Sequence, residues 1–251
     1  MQQVSGIVGH YLQRGLLRKT FFAFMGTSGG WSSIQELKLF RHAGTDIEPL
    51  SSLIIQTENL RTLTLRMTGD EAVSFVETLA RTKVQSLKIR FDLPGSRSSL
   101  LNGGRPVATA LERCNNITKL YLQFPSYVDQ MQLFQILLAE SIPKMLGLKK
   151  IKLQIKNHAD HEFFDRMEQC IGGHQGEIEE LTLEFDALGF HASSVNLSIV
   201  GLAPALRRLK VIRLYCVYAP LTSQQISELL GIVADCDTVL LKNLTTTSLH
   251  V

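Results

Sequence analysis

The sequence predicts an α/β fold: a solenoid in which short parallel strands form a concave sheet and helices cover the convex side. Three observations predict it. A short apolar pattern recurs along the chain, the spacers between its copies carry a helical period, and no single copy has a partner for its apolar face except its neighbours.

The pattern is clearest in "IEELTLEFD" at 178–186, with apolar residues at positions 1, 4, 6 and 8. The same spacing appears in "IQELKLF" from Ile34, "LRTLTLRM" from Leu60, "VQSLKIRF" from Val84, "ITKLYLQF" from Ile117, "LKKIKLQI" from Leu148 and "LKVIRLYC" from Leu209. A weaker eighth copy, "CDTVLLKN", starts at Cys236. The starts are 26, 24, 33, 31, 30, 31 and 27 residues apart, a period in the range of solenoids. Alternation at positions 4, 6 and 8 makes each copy a strand with one face buried.

The elements follow in chain order. Residues 1–33 do not fit the repeat; Val4, Ile7, Val8, Tyr11 and Leu12 suggest an N-terminal helical cap over its first unit. Residues 34–251 form the repeat region, with about seven to eight irregular units. Helical stripes run through "DEAVSFVETLART", "SYVDQMQLFQILLAESI" and "DHEFFDRMEQCI". "LTSQQISELLGIVADC" opens with Thr222 and Gln225 at capping-box spacing. The segment 92–107, rich in Gly, Pro and Ser, reads as a protruding loop. Helices are wider than strands, about 10 Å against about 4.8 Å between neighbours, so the stack is expected to curve with its strands inside. No polar capping helix follows the last copy, which leaves room for further repeats or a neighbouring domain.

Composition narrows the class. Hydrophobic residues make up 45% and charged residues 20% of the 251, as in ordinary globular chains, and the net charge of +3 does not by itself call for nucleic acid or membrane. Cys114, Cys170, Cys216 and Cys236 form no CxxC pair, so they are expected to be free thiols in a reducing compartment. The first residues lack the order of a signal peptide, and no apolar run reaches the roughly 18 residues of a membrane span, so cytoplasm or nucleus is expected. The sequons at Asn116, Asn196 and Asn243 are then coincidental.

Chemistry is hard to find. "NHADHEFFD" gathers His158, Asp160, His161, Glu162 and Asp165, but Asp165 stands where a zincin motif needs its second His. A helix start with acids favouring the N-terminal dipole accounts for it. Gly103-Gly104-Arg105 lacks the context of a phosphate loop. No nucleophile motif appears. The chain is therefore expected not to be an enzyme, and to need no metal, cofactor or small-molecule substrate.

What remains is the outward face of the strands, at positions 3, 5 and 7. Its candidate binding residues are Lys38, Phe40, Arg66, Lys88, Arg90, Lys119, Tyr121, Lys150, Lys152, Glu180, Glu184, Arg213 and Tyr215. Its first five rows hold seven basic residues and one acid, and its sixth holds two acids and no base. This suggests a groove, basic along one half with an acidic stripe after it, that binds an acidic segment of another protein. A nucleic-acid-binding role for the basic half is the alternative, opposed by the low net charge and the Glu180/Glu184 stripe.

The L-x-x-L-x-L pattern with intervening helices resembles the leucine-rich repeat family, in particular its ribonuclease-inhibitor-like class. The resemblance spans roughly 34–244, and "LERCNNITKLYL" at 111–122 looks like that class's helix end, turn and strand. It implies a right-handed solenoid acting as a protein-interaction scaffold. Repeats of this class also serve as substrate receptors in ubiquitin ligases, paired with an F-box; residues 1–33 are short for an F-box and show none. The family's frequent Asn at position 9 is replaced here by His42, Thr68, Asp92, Pro125, Lys156, Asp186, Val217 and Leu244.

Overall fold

Position 4 of every copy is buried: Leu37, Leu63, Leu87, Leu120, Ile151, Leu181, Ile212 and Val239. Position 6 follows with Leu65, Ile89, Leu122, Leu153, Leu183 and Leu214, and position 8 with Phe91, Phe124 and Ile155. The strand period of two sends these side chains to one face and the charged residues to the other. The computed structural model describes residues 34–40, 48–67, 77–91, 108–124, 136–156, 161–186, 206–216, 223–242 and 249–250. The expected N-terminal cap, the 92–107 loop, His158 and Asp160 lie outside them.

The elements in order are β1 (Glu36–Phe40), α1 (Glu48–Gln56), β2 (Thr62–Met67), β3 (Ser86–Phe91), β4 (Lys119–Phe124), β5 (Lys150–Lys156), α2 (His161–Gly172), β6 (Glu180–Asp186), β7 (Val211–Cys216), α3 (Ser223–Ile232), β8 (Thr238–Lys242) and β9 (Leu249–His250). They build one sheet in sequence order, with β1 to β8 all parallel. The two-residue β9 pairs antiparallel with β8, a closing strand that the repeat pattern did not anticipate. Before β5, where a single helix was expected, the described residues form a π-turn at Leu137–Ser141 and then a 3-10 turn at Ile142–Lys144. Pro143 lies inside that change of pitch; it has no N–H to continue an α-helical ladder.

Helical and strand residues share one core. Ile54 of α1, Leu79, Leu111, Leu137 and Leu138, and Met167, Cys170 and Ile171 of α2 cluster with the strand residues named above. At about 25 cal/mol per Å² of apolar surface, such burial is the main force holding the strands together.

Register is set at the strand starts. The carbonyl of position 2 in one copy accepts two backbone N–H groups, from positions 2 and 3 of the next. Gln35 O takes Arg61 and Thr62, Arg61 O takes Gln85 and Ser86, and the series continues through Gln85, Thr118, Lys149 and Glu179 at 2.8–3.1 Å. A tight turn precedes most copies: the carbonyls of Thr57, Cys114, Met145, Leu206 and Val233 each accept the N–H three residues on. Before β6 the turn is one residue longer, and the buried His174 accepts the Gly176 N–H at Nδ1, 3.0 Å away.

Successive turns touch. A Cβ on Gly147 would lie 2.2 Å from the Asn115 carbonyl oxygen, and one on Gly176 would lie 2.6 Å from that of Leu146, so only glycine lets these turns approach. The Asn116 amide nitrogen donates to Thr82 O and Val84 O, both at 2.8 Å. An asparagine thus ties two turns together at the strand starts. At position 9, where the family resemblance would place one, the described residues show no Asn.

Candidate functional site

Equal register turns positions 3, 5 and 7 into three ladders crossing the open face. One runs Glu36, Thr62, Ser86, Lys119, Lys150, Glu180, Val211, Thr238. The middle one runs Lys38, Thr64, Lys88, Tyr121, Lys152, Thr182, Arg213, Leu240. The third runs Phe40, Arg66, Arg90, Gln123, Gln154, Glu184, Tyr215, Lys242. Twelve of the thirteen residues singled out in the sequence therefore lie on one face of one sheet, and the backbone of Phe40 continues the third ladder. The side chain of Phe40 lies outside the described residues.

Lys88, Tyr121 and Lys152 form the centre. Lys88 Nζ sits 4.1 Å from the Tyr121 ring centroid and Lys152 Nζ sits 5.0 Å from it, so the ring faces two cations. The Tyr121 hydroxyl donates to Gln154 Oε1 at 2.5 Å. Burial, reinforced by the nearby Glu184 and opposed by Arg90, pushes the Tyr121 phenol up to about 12, so it remains a neutral donor. Burial lowers the Lys88 pKa first, and the charges of Lys152, Lys38 and Arg90 lower it further against the pull of Glu184. Positive charge is crowded here.

The acids of the expected stripe are ion-paired within the sheet. Lys150 Nζ donates to Glu180 Oε2 at 2.7 Å, Lys152 Nζ to Glu184 Oε1 at 2.5 Å, and Arg213 Nη1 to Glu180 Oε1. The side chains of Glu180 and Glu184 are only 18% and 24% exposed, against 46% for Lys150, so the acids lie beneath their cations. Burial works to raise the Glu180 pKa, but its hydrogen bond to Lys150 and the charges of Arg213 and Lys150 outweigh it, and the net direction is down.

Two of these contacts are diagonals between adjacent strands, Lys152 to Glu184 and Arg213 to Glu180. Thr182, between the two acids on β6 and opposite Lys152 and Arg213, is 6% exposed. Gln123, 8% exposed, is the second outward position that turns out buried. Sequence reasoning treated both as surface, because alternation assigns a face but says nothing of how far neighbouring side chains cover it.

The other half of the face is unmatched. Lys38 has Glu36 at 3.1 Å, but among the described residues Lys88, Arg90 and Lys119 form no ion pair. A shallow depression of about 170 Å³ opens where the halves meet, lined by Ser86, Lys119, Tyr121, Lys150, Lys152 and Thr182 among others. Ser86 and Gln154 were not singled out in the sequence; their positions opposite Lys119 and diagonal to Tyr121 were the available signal.

Elsewhere the chemistry is muted. Burial pushes the Cys114 thiol up to about 12 and raises Cys170 too; burial, Asp235 and Asp237 raise Cys236. These are packing thiols, with Cys236 Sγ donating to Leu209 O at 3.0 Å. Among the described residues no three His, Cys, Asp or Glu side chains gather as a metal site, and no helix is long and apolar enough to cross a membrane.

Fold and face together describe an α/β protein whose single sheet carries a core on one side and a divided field of charge on the other. No protein-family model matches the chain, and no curated protein is similar enough in sequence to be matched.

Proposed function

We propose that this protein is a non-catalytic interaction scaffold, a right-handed leucine-rich-repeat solenoid whose open sheet face receives an acidic segment of a partner protein. Eight parallel strands in sequence order, with helical segments packed on one face, support the solenoid. Right-handedness follows from the general rule for parallel crossovers.

The observation that carries the functional reading is the unmatched charge of Lys88, Arg90 and Lys119, beside a region where the cations are already held by acids. Like charges crowded on one surface are a cost that an anionic partner removes. The low net charge favours a local acidic segment over a polyanion.

The test is affinity capture from native extract, with wild type and the Lys88→Glu/Arg90→Glu variant as baits at two salt concentrations. Proteins with acidic stretches should be retained by wild type and lost from the variant, most clearly at low salt, because steering is screened over about 10 Å at 0.1 M. Identical captured sets would remove the face as the receptor surface.

A further inference from the structure

We infer that the depression between β3, β4 and β5 seats one carboxylate side chain, Asp or Glu, of the partner segment, held by Lys119 and the Ser86 hydroxyl. The inference rests on the reading of the open face given above and narrows it to named residues.

Ser86, Lys119, Lys150 and Glu180 are consecutive rungs of one ladder. Two lysines therefore stand side by side on adjacent strands, an arrangement that destabilises a sheet unless charge is supplied from elsewhere. Glu180 supplies it to Lys150 at 2.7 Å. Lys119, on the other side, has Ser86 for its neighbour and no acid. A partner carboxylate over Lys119 does for that lysine what Glu180 does for Lys150, and the serine hydroxyl offers its second oxygen a donor.

Size and charge choose among anions. At about 170 Å³ the depression is smaller than the roughly 300–1,000 Å³ of small-molecule sites, and it suits a protruding side chain. Lys150 and Lys152 are held by Glu180 and Glu184, so Lys119 is the one cation lining the depression that has no acid of its own among the described residues. A monoanionic carboxylate balances it. A phosphate dianion exceeds it, and is repelled more strongly than a monoanion by Glu180, which lines the same depression.

The experiment uses the full chain and a fluorescently labelled ten-residue polyglutamate peptide, followed by anisotropy, with inorganic phosphate as competitor and a ten-residue oligothymidylate as a second probe. Lys119→Gln should weaken the peptide about tenfold, the effect of losing one charge-assisted hydrogen bond. Lys119→Arg should restore most of the affinity. Lys210→Gln, at an exposed lysine paired with Glu179 outside the three ladders, should leave it unchanged. Melting curves of the variants should coincide with wild type, since Lys119 is exposed. Equal peptide binding by Lys119→Gln and wild type overturns the seat, as does absence of peptide binding by wild type at millimolar concentration. Phosphate displacing the peptide at equal charge, or the oligonucleotide binding more tightly and losing more on Lys119→Gln, overturns the carboxylate assignment. If Lys88→Glu/Arg90→Glu abolishes peptide binding while Lys119→Gln does not, the seat is wrong and the face stands. If neither variant changes it, both fall.

Discussion

Strands β3 and β6 present the same surface to the core and opposite surfaces to solvent. Leu87 and Ile89 in one, and Leu181 and Leu183 in the other, are at most 1% exposed. Outward, β3 carries Ser86, Lys88 and Arg90, while β6 carries Glu180, Thr182 and Glu184. The acids of β6 lie between cations on β5 and β7 and are paired by them. The cations of β3 lie between β2 and β4, whose outward residues include no acid. The backbone and core of a strand thus leave its outer charge unspecified, and the neighbouring strands decide whether that charge is satisfied. One strand is electrostatically closed and the other is left with capacity.

The largest expected effect breaks what the two strands share. Ile89→Asp and Leu183→Asp each remove a fully buried side chain, about 2–5 kcal/mol, and bury a carboxylate besides, against a total stability of roughly 5–15 kcal/mol. Both should abolish or nearly abolish the cooperative unfolding transition in urea. A wild-type midpoint for either one would mean that the strand is not part of the common core.

Gly147→Ala comes next. The new Cβ meets the Asn115 carbonyl oxygen, so the turn before β5 must move away from the turn before β4, at about 1–3 kcal/mol of overpacking. Calorimetry should show a lowered melting temperature. Gly172→Ala, where a Cβ would meet nothing within 4 Å, should not lower it comparably.

Smaller still is the difference between matched and unmatched charge. Glu180→Gln leaves Lys150 and Arg213 without their acid and should cost about 1 kcal/mol, whereas Lys88→Gln should stay within about 0.5 kcal/mol of wild type. Equal losses in urea denaturation would erase the distinction between the two strands.

The smallest effect is read along pH. Glu180 is held below its ordinary value in the folded chain, so its contribution is complete above its unfolded pKa, about 4.3, and is lost as pH falls through the lowered folded value. The stability gap between wild type and Glu180→Gln should be constant above about pH 5 and narrow as the pH falls below it. A gap that does not narrow in acid would assign the loss to packing instead of charge.

The buried face was legible because alternation alone assigns Leu63 and Leu65, or Leu181 and Leu183, to the same side, and the recurrence of the pattern excludes a chance strand. The ladders were legible for a related reason: copies aligned by pattern pair at equal positions. Pairing between side chains was not, because Lys152 reaches Glu184 and Arg213 reaches Glu180 along diagonals that depend on side-chain length and rotamer. The sequence therefore showed an acidic stripe but not its ion pairs, and Thr182 looked exposed. The π and 3-10 turns at 137–144 escaped because a 3.6-residue stripe does not report a local change of pitch. The glycine contacts at 147 and 176 join turns some 30 residues apart, which no local pattern contains.

The sheet order has a consequence for how the chain is made. Every strand pairs only with those before and after it, and successive copies start 24–33 residues apart. At about 5–20 residues per second, a ribosome delivers a new copy roughly every 1–7 s, while local chain closure takes microseconds or less. Each new strand therefore emerges to find its preceding neighbour already synthesised. The same order leaves one raw edge of backbone N–H and C=O groups exposed for seconds at every stage. During synthesis the growing edge, more than the finished sheet, is where this chain is open to pairing with the wrong strand.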